Sequence, residues 1–260
     1  MTYMPDNKSL LYGLKGQHIL VTGASRGIGY GISSFLLEQG CRLSVSSRSY
    51  SNLLSSFSLD SHVSLIPCDL TDPSQTNELI MKAIDTNGPL NGIVCNVGSG
   101  QSVPFGLETN DEWHRMLDIN FFSSVNVVQS FIKHHNDNHS CSIVCISSIC
   151  GLQAVPGAPV TYSVSKAALN SYIKLSSRHL ATRSVRINGV APGNILFKGS
   201  TWDKKYLIDP HNVQNYLATE VPQARLGTPY DVANLSSFLL SNVSSFITGQ
   251  IYTVDGGQIR

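Results

Sequence analysis

The sequence predicts a doubly wound α/β fold, a single sheet of about seven parallel strands with helices on both faces. Three observations carry this expectation. Seven short apolar runs recur along the chain, amphipathic helical stretches separate most of them, and a glycine-rich turn joins the first run to the first helix. A chain of 260 residues can enclose one large core, so residues 1–260 are expected to form one domain.

Taken in order, strands are expected at His18 to Val21, Arg42 to Ser46, Val63 to Pro67, Gly92 to Cys95, Ser142 to Ile146, Val185 to Val190 and Ile251 to Val254. Apolar residues at helical spacing predict helices over Ile28 to Gln39, Pro73 to Thr86, Asp111 to Lys133, Val160 to Thr182 and Pro229 to Leu240. A further helix belongs within the Ser-rich stretch Ser44 to Ser61. Residues 194–228 break the rhythm. A connection that long within a compact domain is expected to be a substrate-binding lid.

Composition excludes several classes. Eighteen Lys and Arg against 17 Asp and Glu give a formal charge of +1, with no basic block or basic-aromatic stripe, so no nucleic-acid partner is expected. Met1 to Lys15 lacks a signal-peptide pattern and no run approaches membrane-spanning length, so a cytoplasmic protein without a membrane partner is expected. The six cysteines, Cys41, Cys68, Cys95, Cys141, Cys145 and Cys150, lie in apolar segments without CxxC pairs and read as buried thiols. His134, His135 and His139 fall in a polar helix end and loop, which reads as solvated surface, so no metal is assigned.

The first strand runs into Thr22-Gly23-Ala24-Ser25-Arg26-Gly27-Ile28-Gly29 and then a helix. Strand, glycine turn and helix together suit a pyrophosphate, which needs close backbone approach and helix N-terminal N–H groups. Gly23, Ser25, Arg26, Gly27, Ile28 and Gly29 are therefore candidate cofactor residues. After the second strand the chain reads Ser46-Ser47-Arg48, without the acidic residue that would bond ribose hydroxyls. Arg48 with Arg26 can clamp a 2′-phosphate, so NADP(H) is expected in preference to NAD(H). Tyr162 and Lys166 stand one helical turn apart on one face, a phenol and an ammonium placed to move a proton. Free tyrosine titrates near pH ~10, and a neighbouring Lys⁺ is expected to bring it down.

With the glycine turn, Asn120, Ser148, Tyr162 and Lys166 in this order and at these separations, nearly the whole chain resembles the short-chain dehydrogenase/reductase family, in particular its 3-oxoacyl-(acyl-carrier-protein) reductase-like members. Further shared motifs are Cys68-Asp69-Leu70-Thr71, Asn96-Val97-Gly98, Ala191-Pro192-Gly193, Ile247-Thr248-Gly249-Gln250 and Val254-Asp255-Gly256-Gly257. The resemblance implies a Rossmann fold, a nicotinamide cofactor and hydride transfer at an alcohol or carbonyl carbon. It implies that Tyr162 is the proton donor, that Lys166 lowers its pKa and bonds the nicotinamide ribose, and that Ser148, rather than Ser147, bonds the substrate oxygen. Asn120 is implied to support a proton-relaying water, with a purely structural helix-bending amide as the alternative. Asp69 is implied to face the adenine amino group, with a simple turn cap as the alternative. Asn96 is implied to hold the cofactor-side strands together, and Leu70, Gly98, Pro192, Gly193 and the backbone of Ile195 to border the cofactor.

The chain departs from the family pattern twice. Cys95 stands where a first asparagine is usual, and Phe197 stands where relatives place a threonine that binds the carboxamide, leaving Ser200 or Thr201 as substitutes. The lid adds Trp202 and Tyr206 among Lys198, Lys204 and Lys205, a wording similar to members associated with bacterial surface-sugar biosynthesis. A keto sugar and a 3-oxoacyl thioester are thus the expected small-molecule substrates, for reduction of a carbonyl to an alcohol. A non-catalytic NADPH sensor or scaffold is the alternative. The resemblance also implies a homotetramer, or a dimer, although the stripe Phe121, Val125, Val128 and Ile132 can equally serve the chain's own core.

Overall fold

The computed structural model describes residues 12–57 and 60–259. Seven strands form one parallel sheet: β1 (His18–Thr22), β2 (Arg42–Ser47), β3 (Val63–Pro67), β4 (Gly92–Cys95), β5 (Cys141–Ile146), β6 (Val185–Pro192) and β7 (Ile251–Val254). Their order is β3-β2-β1-β4-β5-β6-β7, so the winding reverses between β1 and β4. A reversal of this kind opens a crevice at the carboxyl ends of the strands. The central strands are buried along their whole length, which is why they read as near-continuous apolar runs.

Side chains alternate between two cores. Ile19 and Val21 of β1 face one core with α1 (Gly27–Glu38), α2 (Tyr50–Phe57) and α9 (Pro229–Leu240). Leu20 faces the other, with α3 (Pro73–Asn87), α5 (Ser123–His134) and α6 (Val160–Ala181). Gly31 lets α9 approach α1, since a Cβ there would run into Pro229. Val128 lies in the second core, Phe121 and Ile132 pack against it and Val125 is buried, so that apolar stripe serves the chain's own interior.

One predicted helix divides. In place of a continuous Asp111 to Lys133 helix, α4 (Asn110–Leu117) passes into a widened π-helical turn, Asp118–Phe122, before α5 begins. The Asn120 amide donates to the carbonyl of Met116 at 3.1 Å and to that of Ser99 at 3.0 Å, taking a helix carbonyl away from its ladder. Residues 194–228 contain α7 (Thr201–Ile208) and α8 (Pro210–Glu220), and a bridge between Ile195 and Gly227 ties the two ends of the segment to each other. Asp137 and Arg183 tie the polar stretch after α5 to α6, while His134 bonds Asn77 and His135 bonds the carbonyl of Arg183. No helix among the described residues is long and apolar enough to cross a membrane.

Candidate active site

The glycine turn closes over the carboxyl end of β1. Gly23 and Gly27 take φ of +63° and +59°, the left-handed region that costs other residues roughly 1–2 kcal/mol. A Cβ on Gly29 would collide with the Gly23 carbonyl and the Asn96 amide. Asn96 explains that crowding, since its amide donates to the carbonyls of Thr22 at 3.0 Å and Gly23 at 3.1 Å and so stitches β4 to the turn. Arg26 is the N-cap of α1 in an extended conformation without a side-chain cap, so the N–H groups of Gly27, Ile28 and Gly29 open the helix. Ser25 is held by a bond from Ser56 to its carbonyl at 3.0 Å. Arg26 and Arg48 are both exposed, one in this turn and the other just past β2.

Asp69 accepts from the backbone and hydroxyl of Thr71 at 3.0 and 2.8 Å, closing a turn after β3 as a capping aspartate does. Leu70 is buried beside it, and its carbonyl accepts from Asn126. On β6, Pro192 is buried and Gly193 donates to the Val254 carbonyl at 3.0 Å, with Ile195 buried just beyond. Phe197 turns its ring toward the glycine turn, so that a Cβ on Gly27 would lie 2.7 Å from it. An aromatic wall thus stands where the sequence comparison leads one to expect a polar threonine. Ser200 instead caps α7, accepting from Asp203 at 3.0 Å, which occupies the proposed substitute.

Around the switch point the four candidate catalytic residues converge. Ser148 is buried after β5, where its side chain neighbours the Tyr162 phenol and its hydroxyl accepts from the backbone N–H of Cys150 at 3.2 Å. Ser147 faces away, donating to Asn170 at 2.6 Å while Asn170 holds the Gly151 carbonyl. Gly151 permits this packing, because a Cβ there would strike the Lys166 backbone at 2.6 Å. Lys166 is 3 % exposed and donates to the Ile146 carbonyl at 2.8 Å. Asn120 is fully buried and accepts from the Ser99 amide at 2.8 Å. A Cβ on Gly98 would meet Asn120 Oδ1 at 3.0 Å and Lys166 Nζ at 3.1 Å, so glycine leaves the space between amide and ammonium uncrowded.

Electrostatics correct one expectation. Burial pushes the Tyr162 phenol up to about 12, the hydrogen bond with Ser148 pulling the other way, so the phenol is raised rather than lowered. Loss of water also pulls the Lys166 ammonium down to about 8, opposed by the thiols of Cys145 and Cys95. Desolvation is the largest cause of both shifts, and for the phenol it runs opposite to the lowering anticipated from the spacing. Asn170 carries no signal in the sequence, being one of many helix amides, whereas Gly151 is the residue whose spacing of three from Ser148 favours that serine over Ser147.

Within residues 194–228 one pair of aromatic rings is in contact. Trp202 and Tyr216 meet at a tilt of 38° with centroids 4.9 Å apart, and Lys205 lies 4.5 Å over the Trp202 ring. Lys198 and Lys204 are exposed.

Comparison with known proteins agrees with this geometry. A family model described as enoyl-(acyl carrier protein) reductase matches residues 23–258. A 3-oxoacyl-(acyl-carrier-protein) reductase FabG of Chlamydia muridarum is 33% identical over 244 residues, covering 92% of this chain and 95% of the relative. The NADPH-bound structure of a short chain oxidoreductase with an atypical catalytic center from Pseudomonas aeruginosa superposes with a TM-score of 0.87 at 26% identity, covering 95% of this chain and 99% of the other. The RhlG/NADP active-site complex of the same organism gives 0.84 at 25% identity, covering 94% and 96%. With the glycine turn, the Ser148, Tyr162 and Lys166 cluster and similarity over nearly its whole length, the chain belongs to the short-chain dehydrogenase/reductase family of NAD(P)-dependent oxidoreductases.

Proposed function

We propose that this protein reduces a carbonyl compound to an alcohol with NADP(H), and that its substrate class is a 3-oxoacyl thioester. The observation that carries the reading is the buried ammonium of Lys166, which donates to the Ile146 carbonyl at 2.8 Å, two residues before the buried Ser148 and one turn along α6 from Tyr162 at the carboxyl edge of the sheet. When bound, the nicotinamide cofactor supplies the hydride. Tyr162 gives its proton to the carbonyl oxygen, and Ser148 hydrogen-bonds that oxygen as charge develops on it. Lys166 stabilises the phenolate that remains, and Asn120, across Gly98 from the ammonium, supports the relay that returns a proton.

The residues fit such a cofactor. The turn at Gly23, Gly27 and Gly29 offers backbone and helix N–H groups from residues with no side chain of their own, beside the Phe197 ring. Asp69, Leu70, Asn96, Gly98, Pro192, Gly193 and Ile195 border the same edge. Arg26 and Arg48 supply positive charge for a 2′-phosphate, and the two Pseudomonas aeruginosa structures are described with NADPH and NADP. Arg48→Ala is expected to lower the NADPH to NADH ratio of kcat/KM by about tenfold. A wild-type preference for NADH would sink the cofactor assignment.

An acyl substrate is favoured over a keto sugar by the connections leaving the carboxyl ends of β4, β5 and β6, which expose Phe105, Leu107, Leu152, Leu196, Leu207 and Ile208. Trp202 packs within residues 194–228, which we read as the lid, and so offers a sugar no open stacking face. The FabG relative is named for the same substrate class. Five buried free thiols suit a reducing cytoplasm, and Val164 and Leu175, turned outward from α6, suit contact between subunits of a homotetramer. NADPH consumption over 3-oxoacyl thioesters and keto sugars tests the substrate class, and turnover of sugars alone would reject it.

A further inference from the structure

The connection 98–109 leaves β4 and passes over the reacting phenol: a Cβ on Gly100 would lie 4.0 Å from the Tyr162 ring. It contains no helix or strand, and Gly98, Gly100 and Gly106 leave its backbone free to wander. Asn120 holds its start at Ser99, and one carboxylate holds its middle. Glu112, in the first turn of α4, accepts from the Ser102 hydroxyl at 2.6 Å and from the Arg115 guanidinium through two bonds of 2.7 Å. Arg115 in turn reaches back to the Gln101 carbonyl at 2.9 Å.

Ser102 extends the chain of bonds. Its oxygen lies 2.6 Å from the hydroxyl of Thr161, which is fully buried and immediately precedes Tyr162. A carboxylate only accepts, so Ser102 donates to Glu112 and Thr161 donates to Ser102. Two consecutive residues of the connection, Gln101 and Ser102, are thereby fixed to α4, and Ser102 is also fixed to the turn of α6 that carries the phenol. The Arg115 guanidinium and the Ser102 hydroxyl hold the Glu112 carboxyl down to about 2, so the charged form persists throughout the physiological range.

We propose that Glu112 is a positioning residue for the reaction: through Ser102 it sets the 98–109 connection against Thr161, and so fixes where a carbonyl substrate sits relative to Tyr162. Charge-assisted bonds are roughly twice as strong as neutral ones, which suits a single side chain ordering a glycine-rich segment. Misplacement of about 1 Å at a reacting centre costs up to about a hundredfold in rate. The proposal rests on Tyr162 being the proton donor to a carbonyl.

The test compares wild type with Glu112→Ala, Glu112→Gln, Ser102→Ala and the Glu112→Ala/Ser102→Ala double variant. Steady-state kinetics use NADPH and acetoacetyl coenzyme A, fluorescence titration gives NADPH affinity, and hydrogen exchange follows residues 98–109. Glu112→Ala is expected to raise the KM for the thioester about tenfold and to speed exchange at residues 101–103 about tenfold, with NADPH affinity within about twofold of wild type. The double variant is expected to be no worse than Glu112→Ala, because both substitutions break one network. Glu112→Gln should recover most of the loss, since its carbonyl still accepts from Ser102. Multiplying effects in the double variant, unchanged exchange, or an equal loss of NADPH affinity would each overturn the proposal. A wild-type protein that fails to turn over carbonyls defeats the assigned reaction instead, and the exchange comparison then decides whether the clamp exists.

Discussion

At the residue scale the site is a problem in burying charge. Lys166 titrates near 8 in the fold against 10.5 when free, so its burial costs stability while it stays charged below about pH 8, and that cost is relieved as pH rises toward 10.5. Tyr162 behaves oppositely: with its pKa raised from 10 to about 12, its neutral form stabilises the fold fully below pH 10, and this is lost as pH rises through 12. The phenol therefore holds its proton at neutral pH and needs the ammonium beside it when that proton leaves. Carbonyl reduction is expected to fall as pH rises through about 8, where Lys166 loses its charge. In Lys166→Met that alkaline limb should disappear and kcat should drop on the order of a hundredfold. A limb unchanged in the variant would show that another group titrates there. Spacing alone made the pair visible in the sequence, but the sign of the tyrosine shift was not legible, because it depends on how much water the fold removes.

At the scale of the element, the glycine turn separates two roles for the same residue type. Gly27 is needed for its left-handed φ of +59°, whereas Gly29 is needed because the Gly23 carbonyl and the Asn96 amide occupy the space of a side chain. Gly27→Ala is expected to cost about 1–2 kcal/mol, the usual strain of that conformation, because the Phe197 ring can yield. Gly29→Ala should cost more, since backbone must move, and denaturant unfolding of the two variants gives the order. A milder Gly29→Ala would contradict the stitch between Asn96 and the turn. The strands were legible because both faces are buried and apolar runs record that directly. The break between α4 and α5 was not, because the apolar stripe through Phe121, Val125 and Val128 continues across it while one side chain, Asn120, diverts the backbone. Phe197 shows the same limit: the sequence marks the absent threonine, and only the fold places the ring against Gly27.

At the scale of the molecule, the reversal of strand order between β1 and β4 gathers residues that lie far apart in sequence onto one edge of the sheet. That topology was legible from strand-helix alternation and the motif order, while the clamp joining Ser102, Glu112 and Thr161 was not, because nothing in its spacing marks three common polar residues as neighbours. A homotetramer is expected in light scattering at four times the chain mass of 28.2 kDa, and a strictly monomeric protein would reject that assembly. The central claim is that Tyr162 donates the proton in a carbonyl reduction driven by NADPH. It is tested most directly by measuring NADPH consumption with acetoacetyl coenzyme A for wild type and Tyr162→Phe, alongside NADPH binding by fluorescence. The expected result is turnover by wild type, a loss of about 10²–10⁴-fold in kcat for Tyr162→Phe and unchanged cofactor affinity. A Tyr162→Phe enzyme that keeps the wild-type rate would contradict the account.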